Sequence, residues 1–336
     1  MTFQGGPRAN SRPVRAWRAV CCAVLVSLSA CNPAPQPPLA MGMNARLGFD
    51  PLALARERGL LDTERVKVVE LASATEVQRA LNNGLLDAAA LTLDETLRLV
   101  DAGADLRIVA LLDSSVGGDV VLARPGIHSP AELRGEAVAV EASSVGALVL
   151  QRMLDKAGLQ RHEVELVNLE AHAHLDALRE GRVAAAVSYA PIAGALQAAG
   201  YRPIFSSRDI PGEVQGVLVV RQPVLQARPE AVDALLRGWS EGLLALSADP
   251  AGAAATLSRG SELPARAYAA GFRGRELVPL AQSLRELSGR APDFEARALA
   301  IARTLSELGA LRKPPELLPL LDRSALQRVL EEQEQS

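Results

Sequence analysis

The sequence predicts an α/β protein of two lobes, joined by two hinge strands and followed by a helical C-terminal tail. Three observations carry this expectation. Short apolar strands alternate with capped helices as far as residue 221, in units of roughly 25–30 residues, the pattern of βαβ crossovers in a helix-flanked parallel sheet. Segments 120–124 and 217–221 are both apolar, extended and terminated by arginine, so they read as strands crossing between lobes. Beyond residue 221 the strand signal vanishes, and Pro229, Asp249-Pro250 and Pro292 punctuate an almost wholly helical remainder.

The elements follow in order. Asp50-Pro51 opens a helix with an N-cap residue and a proline in the first turn, and Gly59 closes it. Residues 66–71 read as a strand. Ser73 with Glu76 forms a capping box for a helix stopped near Gly84. A strand at 88–91 leads to a helix capped by Thr92 and Glu95, and a strand at 108–112 follows. In the second set, Ser129-Pro130 and Glu132 cap a short helix, then 137–140 is a strand. Ser143 and Ser144 open a helix over 145–157, with Gly158 as its stop. Strands at 164–168 and 184–187 flank a helix ending at Gly181; a helix ending at Gly200 precedes the strand 202–205. The expected division is residues 39–122 with 217–336 in the first lobe and 123–216 in the second. Two hinges permit closure about a cleft, where ligands bind beyond the strand C-termini. The leucine-rich stretch 305–330 is amphipathic and reads as packing on the first lobe.

The N-terminal region has another grammar. Arg8, Arg12, Arg15 and Arg18 precede an apolar run at 19–30, a basic-then-apolar signal segment too short to span a bilayer. Leu28-Ser29-Ala30-Cys31 resembles a bacterial lipoprotein box, which implies acylation of Cys31 as the first mature residue. Residues 1–30 are therefore expected as a lipoprotein signal peptide and 31–38 as a proline-rich spacer, extended because proline lacks the N–H donor and fixes φ. The expected location is extracytoplasmic, anchored to a membrane.

Composition narrows the function. The three cysteines are Cys21, Cys22 and Cys31, leaving no disulfide framework or thiolate site in the body. A net charge of −3 argues against a nucleic-acid footprint, which needs a basic face. Aromatic residues at 3% disfavour sugar platforms and aromatic cages. No Gly-x-Ser-x-Gly elbow, Walker loop or Gly-x-Gly-x-x-Gly fingerprint occurs, so neither an enzyme nor a cofactor is expected. His172-Ala173-His174 has no third ligand in view, so no metal is expected either.

Candidate ligand contacts lie where strands end. In the loop 113–119, Ser114 and Gly118 offer a hydroxyl and an unshielded N–H, and Asp119 reads either as a ligand clamp or as a cap of the local turn. Ser143 and Ser144 open a helix whose free N–H groups suit an anion or carbonyl, or serve only as a cap. Phe49 and Asp50 lie at a second helix start, and Thr92 and Asp94 at a third, with capping as the alternative role. Tyr189, just before Pro191, is placed either to cover a ligand or to fill the core. Asp50, Asp94, Asp113 and Asp119, with Glu141 and Glu213 nearby, outnumber the bases among these residues. A simple oxyanion prefers arginine, lysine or dense N–H donors, so the balance favours a solute with N–H groups or positive charge.

Several strings carry a family resemblance. Gly48-Phe49-Asp50-Pro51-Leu52-Ala53-Leu54-Ala55, followed by Arg56-Glu57-Arg58-Gly59-Leu60, resembles the opening of the nitrate/sulfonate/taurine and thiamine-pyrimidine substrate-binding proteins of ABC transporters. Residues 129–158 resemble that family's entry into the second lobe, 178–191 its segment ending in an aromatic or acidic residue and proline, and 205–221 its return to the first lobe. The resemblance implies a type II periplasmic-binding-protein fold, a monomer, and delivery of a small solute to an ABC permease. Two departures touch the expected cleft: Arg46 and Leu47 stand where the family often has tryptophan, and no acid lies near Gln215-Gly216. The alternatives of other classes are an enzyme of pyrimidine or menaquinone-precursor metabolism on the same fold, and an extracellular sensing module.

Overall fold

Near-continuous apolar runs mark strands covered on both faces, and such runs build two sheets here. The structure, a computed structural model, describes residues 1–6, 36–261, 263–288 and 293–335. Residues 1–37 and 38–336 form separate units. The expected signal segment, Cys31 and most of the spacer lie outside the described residues; residues 1–6, 36 and 37 carry no regular secondary structure.

The second unit begins with β1 (Leu39–Asn44), α1 (Asp50–Glu57), β2 (Val66–Leu71), α2 (Ala74–Asn82), β3 (Ala88–Thr92), α3 (Leu93–Asp101) and β4 (Leu106–Ser115). The chain then builds a second lobe from β5 (Asp119–Ala123), β6 (Ala137–Val140), α4 (Gly146–Ala157), β7 (Glu165–Asn168), α5 (His174–Arg179), β8 (Ala185–Tyr189), α6 (Ile192–Ala198) and β9 (Arg202–Ser206). It returns through β10 (Gln215–Arg221), α7 (Gln222–Ala227), α8 (Pro229–Ala248), α9 (Pro250–Leu257), α10 (Ala265–Gly271), β11 (Arg275–Leu277), α11 (Leu280–Leu287), α12 (Asp293–Glu307) and α13 (Ser324–Gln335).

The first sheet is six-stranded in the order β11-β4-β10-β3-β1-β2, the second five-stranded in the order β7-β6-β8-β5-β9. Strand β10 lies antiparallel between β3 and β4, and β5 lies antiparallel between β8 and β9. Alanine is a poor strand former, yet Ala88–Thr92 and Ala185–Tyr189 are buried throughout. Their place between helix layers overrides propensity.

The structure corrects the hinges. Segments 120–124 and 217–221 do not cross between lobes: β5 pairs along its length with β8 in the second sheet, and β10 with β3 and β4 in the first. The crossings are the turn 116–118 and the segment 207–214, so the second sheet begins at Asp119 and the boundary drawn at residue 123 falls too late. Two strands were also absent from the expectation. β1 is an interior strand whose Leu39, Met41 and Met43 are buried in the core, and β11 lies inside the tail read as helical.

The tail closes over the first lobe. Trp239 of α8 is fully buried and donates its indole N–H to the Val278 carbonyl at 3.1 Å. A side chain at Gly242 would collide with the Pro51 carbonyl, so glycine is what lets α8 cross α1 in backbone contact.

Candidate functional site

The C-terminal ends of β1, β2 and β3 and the loops leaving them face those of β6 and β8, and there the lobes touch through named hydrogen bonds. Thr75, in the first turn of α2, donates its N–H to Glu141 Oε1 at 2.9 Å, and its hydroxyl meets the same oxygen at 2.5 Å and Ser143 Oγ at 2.6 Å. Gln78 Nε2 donates to the Ser143 carbonyl at 3.0 Å. Arg98 of α3 donates to the carbonyls of Ala142 at 3.1 Å and Ser144 at 2.8 Å, and also holds Asp94. Glu95 accepts from the N–H of Thr92 at 2.8 Å within its own lobe and from Val145 at 3.3 Å in the other. Three helix starts are thus tied together across the cleft: Thr75 and Val145 use N–H groups that a helix N-terminus leaves free, and α3 contributes the Glu95 and Arg98 side chains.

Behind this latch sits a knot of four buried charges. Arg46 grips Asp119 bidentately at 2.8 and 2.9 Å, and Arg275 bridges Asp113 at 3.0 Å and Asp119 at 3.1 Å. None of the four exceeds 7% exposure. Two positive and two negative groups leave no net charge, which is how buried ions are tolerated. Space comes from glycine: a Cβ at Gly48 or Gly216 would strike the Asp113 carboxylate, and one at Gly118 would lie 2.5 Å from Arg275 Nε. Ser115 Oγ accepts the Asp119 N–H at 3.2 Å and meets Ser207 Oγ at 2.8 Å, so the knot joins both crossings. The Arg46 guanidinium also lies 5.5 Å from the Tyr189 ring centre and 5.9 Å from that of Phe49.

Burial sets the local acidities. Burial alone would raise the Asp119 carboxyl, but Arg275 and Arg46 reverse this and hold it below the usual range. Glu95 goes the other way: burial and the neighbouring Asp94 push it up to about 7, against the Thr92 N–H bond, Arg46 and Arg98. Asp50 is raised well above its ordinary value by burial, opposed by a hydrogen bond from Tyr268. Burial likewise raises the Tyr189 phenol.

The sequence-predicted residues divide accordingly. Asp119 does not stand free in the cleft; it is bound by two guanidiniums, so the expected clamp is a structural ion pair. Phe49 lies in the core at 1% exposure, and Gly118 packs against Gly274 and Arg275. Ser114 belongs to β4, opposite Gln215 and Glu276. Asp50 is the first helical residue of α1 and makes no cap; its carboxylate accepts from the Tyr268 hydroxyl at 3.3 Å. Thr92 and Asp94 are buried at the start of α3, Asp94 neutralised by Arg98. Ser143 and Ser144 border the cleft, the first exposed and the second buried. Tyr189 accepts from Asn44 Nδ2 at 2.8 Å across the lobes. The excess of acids is therefore smaller than composition suggested: Asp94, Asp113 and Asp119 are all paired. Buried atoms of the cleft residues without a hydrogen-bond partner include Thr92 Oγ1 and Glu141 Oε2.

Sequence reasoning missed Asn44, Thr75 and Arg275 as cleft or hinge residues and read Arg46 only as a departure. Asn44 ends an unrecognised strand, and nothing in the tail distinguishes Arg275 from its neighbours. Thr75 follows a strand within a recognised capping box, a signal that was available. His174 is buried in the second lobe, held down to about 4 by burial, with Nε2 at 3.1 Å from the Leu169 carbonyl. Among the described residues no three His, Cys, Asp or Glu side chains group as a metal site, and no helix is long and apolar enough to cross a membrane.

Comparison with known proteins places this geometry. A Brucella abortus protein named as a putative binding protein is 25% identical over 144 residues, 40% of this chain and 43% of its own length. The chain thus spans less than half the length of the curated relatives it matches. The fold matches the alkanesulfonate-binding protein SsuA from Xanthomonas axonopodis pv. citri bound to MOPS, with a TM-score of 0.75, 21% identity, and 87% of this chain and all of that one covered. It also matches the desulfurization enzyme DSZB, with a TM-score of 0.66, 18% identity, and 89% and 100% of the two chains covered. These matches show the two-lobed periplasmic-binding-protein fold. The model of the NMT1-like family matches residues 32–258, about two thirds of the sequence, and the chain therefore belongs to the NMT1-like family.

Proposed function

We propose that this protein is an extracytoplasmic solute-binding protein that closes its lobes on a small polar molecule and delivers it to an ABC permease. The observation that supports the reading best is the latch across the cleft, where Thr75, Glu95 and Arg98 of one lobe bond residues 141–145 of the other. A closed state held by a few hydrogen bonds to charged groups, each worth about 1.5–3 kcal/mol net, is one that a solute can bias. The solute class we infer carries N–H donors, because the buried Glu141 Oε2 lacks a partner. A sulfonate is the second reading; it is favoured by what SsuA is named as binding and by the guanidinium of Arg98 at the cleft. The desulfurization enzyme on the same fold keeps a catalytic reading open. Against it, His174 is bonded inside the second lobe, and the sequence has no cysteine beyond Cys31.

A thermal-shift screen on the body from residue 36, using propylammonium, propanesulfonate, nitrate and pyrimidines, tests the reading. At a hundred-fold excess over Kd, a bound solute stabilises by about 2.7 kcal/mol. Glu141→Gln should reduce the shift given by a donor-bearing solute. Recovery of a chemically altered compound would favour the enzyme. Anchoring is tested separately: Cys31→Ala should leave the protein unlipidated, whereas wild-type protein recovered soluble and cut elsewhere than before Cys31 would refute the anchor.

A further inference from the structure

A cavity of about 300 Å³ lies beside the cleft, between α1 and the tail helices α9 and α10, and Pro191 of the second lobe borders it. That volume is at the lower end of the range for small-ligand sites, about 300–1,000 Å³. Its lining includes Asn44, Asp50 and Tyr268, which are 4%, 4% and 6% exposed. Asp50 Oδ1 accepts from the Tyr268 hydroxyl at 3.3 Å, while Asp50 Oδ2 is buried without any hydrogen-bond partner. A buried carboxyl oxygen left unpaired costs free energy that a donor supplied by a ligand would recover. A larger cavity, about 390 Å³, lies in the tail near Phe294 and Leu317, but its lining is mostly apolar and offers no such group.

We propose that the cavity at Asp50 is a second binding site, distinct from the cleft, for the ammonium group of a small primary amine. The ammonium fits because it brings three donors and no acceptor to a site whose unpaired atom is a carboxyl oxygen. Charged groups near Asp50 are Glu70 at the end of β2 and Arg275 of β11. The cavity also holds Arg56 and Glu57 of α1 and Arg259 after α9, and Arg56 is itself paired with Glu57 at 3.0 Å and Glu70 at 3.1 Å. Burial favours the protonated carboxyl in the empty cavity. On binding, the neutral Asp50 carboxyl and the alkylammonium cation become a carboxylate–ammonium pair, and the one proton that leaves the carboxyl goes to solvent. Affinity must therefore rise with pH until Asp50 is ionised without ligand.

Three probes of matched size separate the chemistry: propylammonium, propionate and propanol, each titrated calorimetrically into the chain in buffers of different ionisation enthalpy. Propylammonium should bind with release of a proton, and the other two at least ten-fold more weakly. Asp50→Asn should lower propylammonium affinity at least ten-fold and abolish the proton release, with circular dichroism unchanged. Should that variant fail to fold, Tyr268→Phe, which deletes only the hydroxyl, must change the proton release. If Asp50→Asn binds propylammonium with wild-type affinity while Glu141→Gln, in the cleft, loses it, the amine sits in the cleft instead. No binding of propylammonium, equal binding of all three probes, or an Asp50→Asn variant that binds normally overturns the proposal.

Discussion

At the residue scale, Asp119 decides most. A carboxylate beside a glycine turn at the first crossing is what a ligand clamp would look like in sequence. In the structure it is the shared partner of Arg46 and Arg275, 2% exposed. Removing one partner of a buried pair costs about 3–5 kcal/mol, because the remaining charge is left uncompensated. Asp119→Ala, which strands the Arg46 guanidinium and leaves Arg275 with Asp113 alone, should therefore lower the denaturation free energy by about that amount. Urea denaturation checks it, and a variant as stable as wild type would mean that the knot does not form. Position was legible here and role was not. Strand C-termini are read from local pattern, whereas Arg275 reaches Asp119 from a three-residue strand more than 150 residues downstream, too short to register as an element.

At the element scale, the capped helix starts were the most legible feature. Ser73 does accept the Glu76 N–H, and Glu95 does reach back to Thr92. The same carboxylate also accepts from Val145 in the opposite lobe, a pairing that no local pattern contains. Its environment makes a pH prediction. Glu95 is raised from 4.5 to about 7, first by burial and then by Asp94, with Arg46 and Arg98 opposing. A raised carboxyl binds a proton more tightly in the closed state than where water reaches it. Closure is then favoured at low pH and weakens as pH rises from 4.5 through about 7. Glu95→Gln should flatten that dependence between pH 4.5 and about 7, read as the open fraction by small-angle scattering. A wild-type profile independent of pH over that range would contradict the assignment. The element pattern misled at the hinges. An apolar strand inside a sheet and one that crosses between sheets have the same composition, so β5 and β10 looked like hinges until their pairing was known.

At the scale of the whole molecule, alternation of strands and helices foretold two α/β lobes, because crossover units leave few other arrangements. It did not foretell that each sheet contains a reversed strand next to a crossing, since strand direction follows from where the chain returns. A solute-binding role requires the lobes to open and close around the solute. The body lacks cysteine beyond Cys31, so Asn82→Cys in the first lobe and Asn168→Cys in the second can be spin-labelled on a background from residue 36 onward. Both positions are exposed and line the mouth of the cleft between the lobes. The decisive measurement is the distance distribution between these labels by pulsed electron paramagnetic resonance, with and without the compound that gives the largest thermal shift. A long-distance population is expected in the free protein, collapsing to a single short distance at saturation. One unchanged distance with and without saturating solute would contradict it.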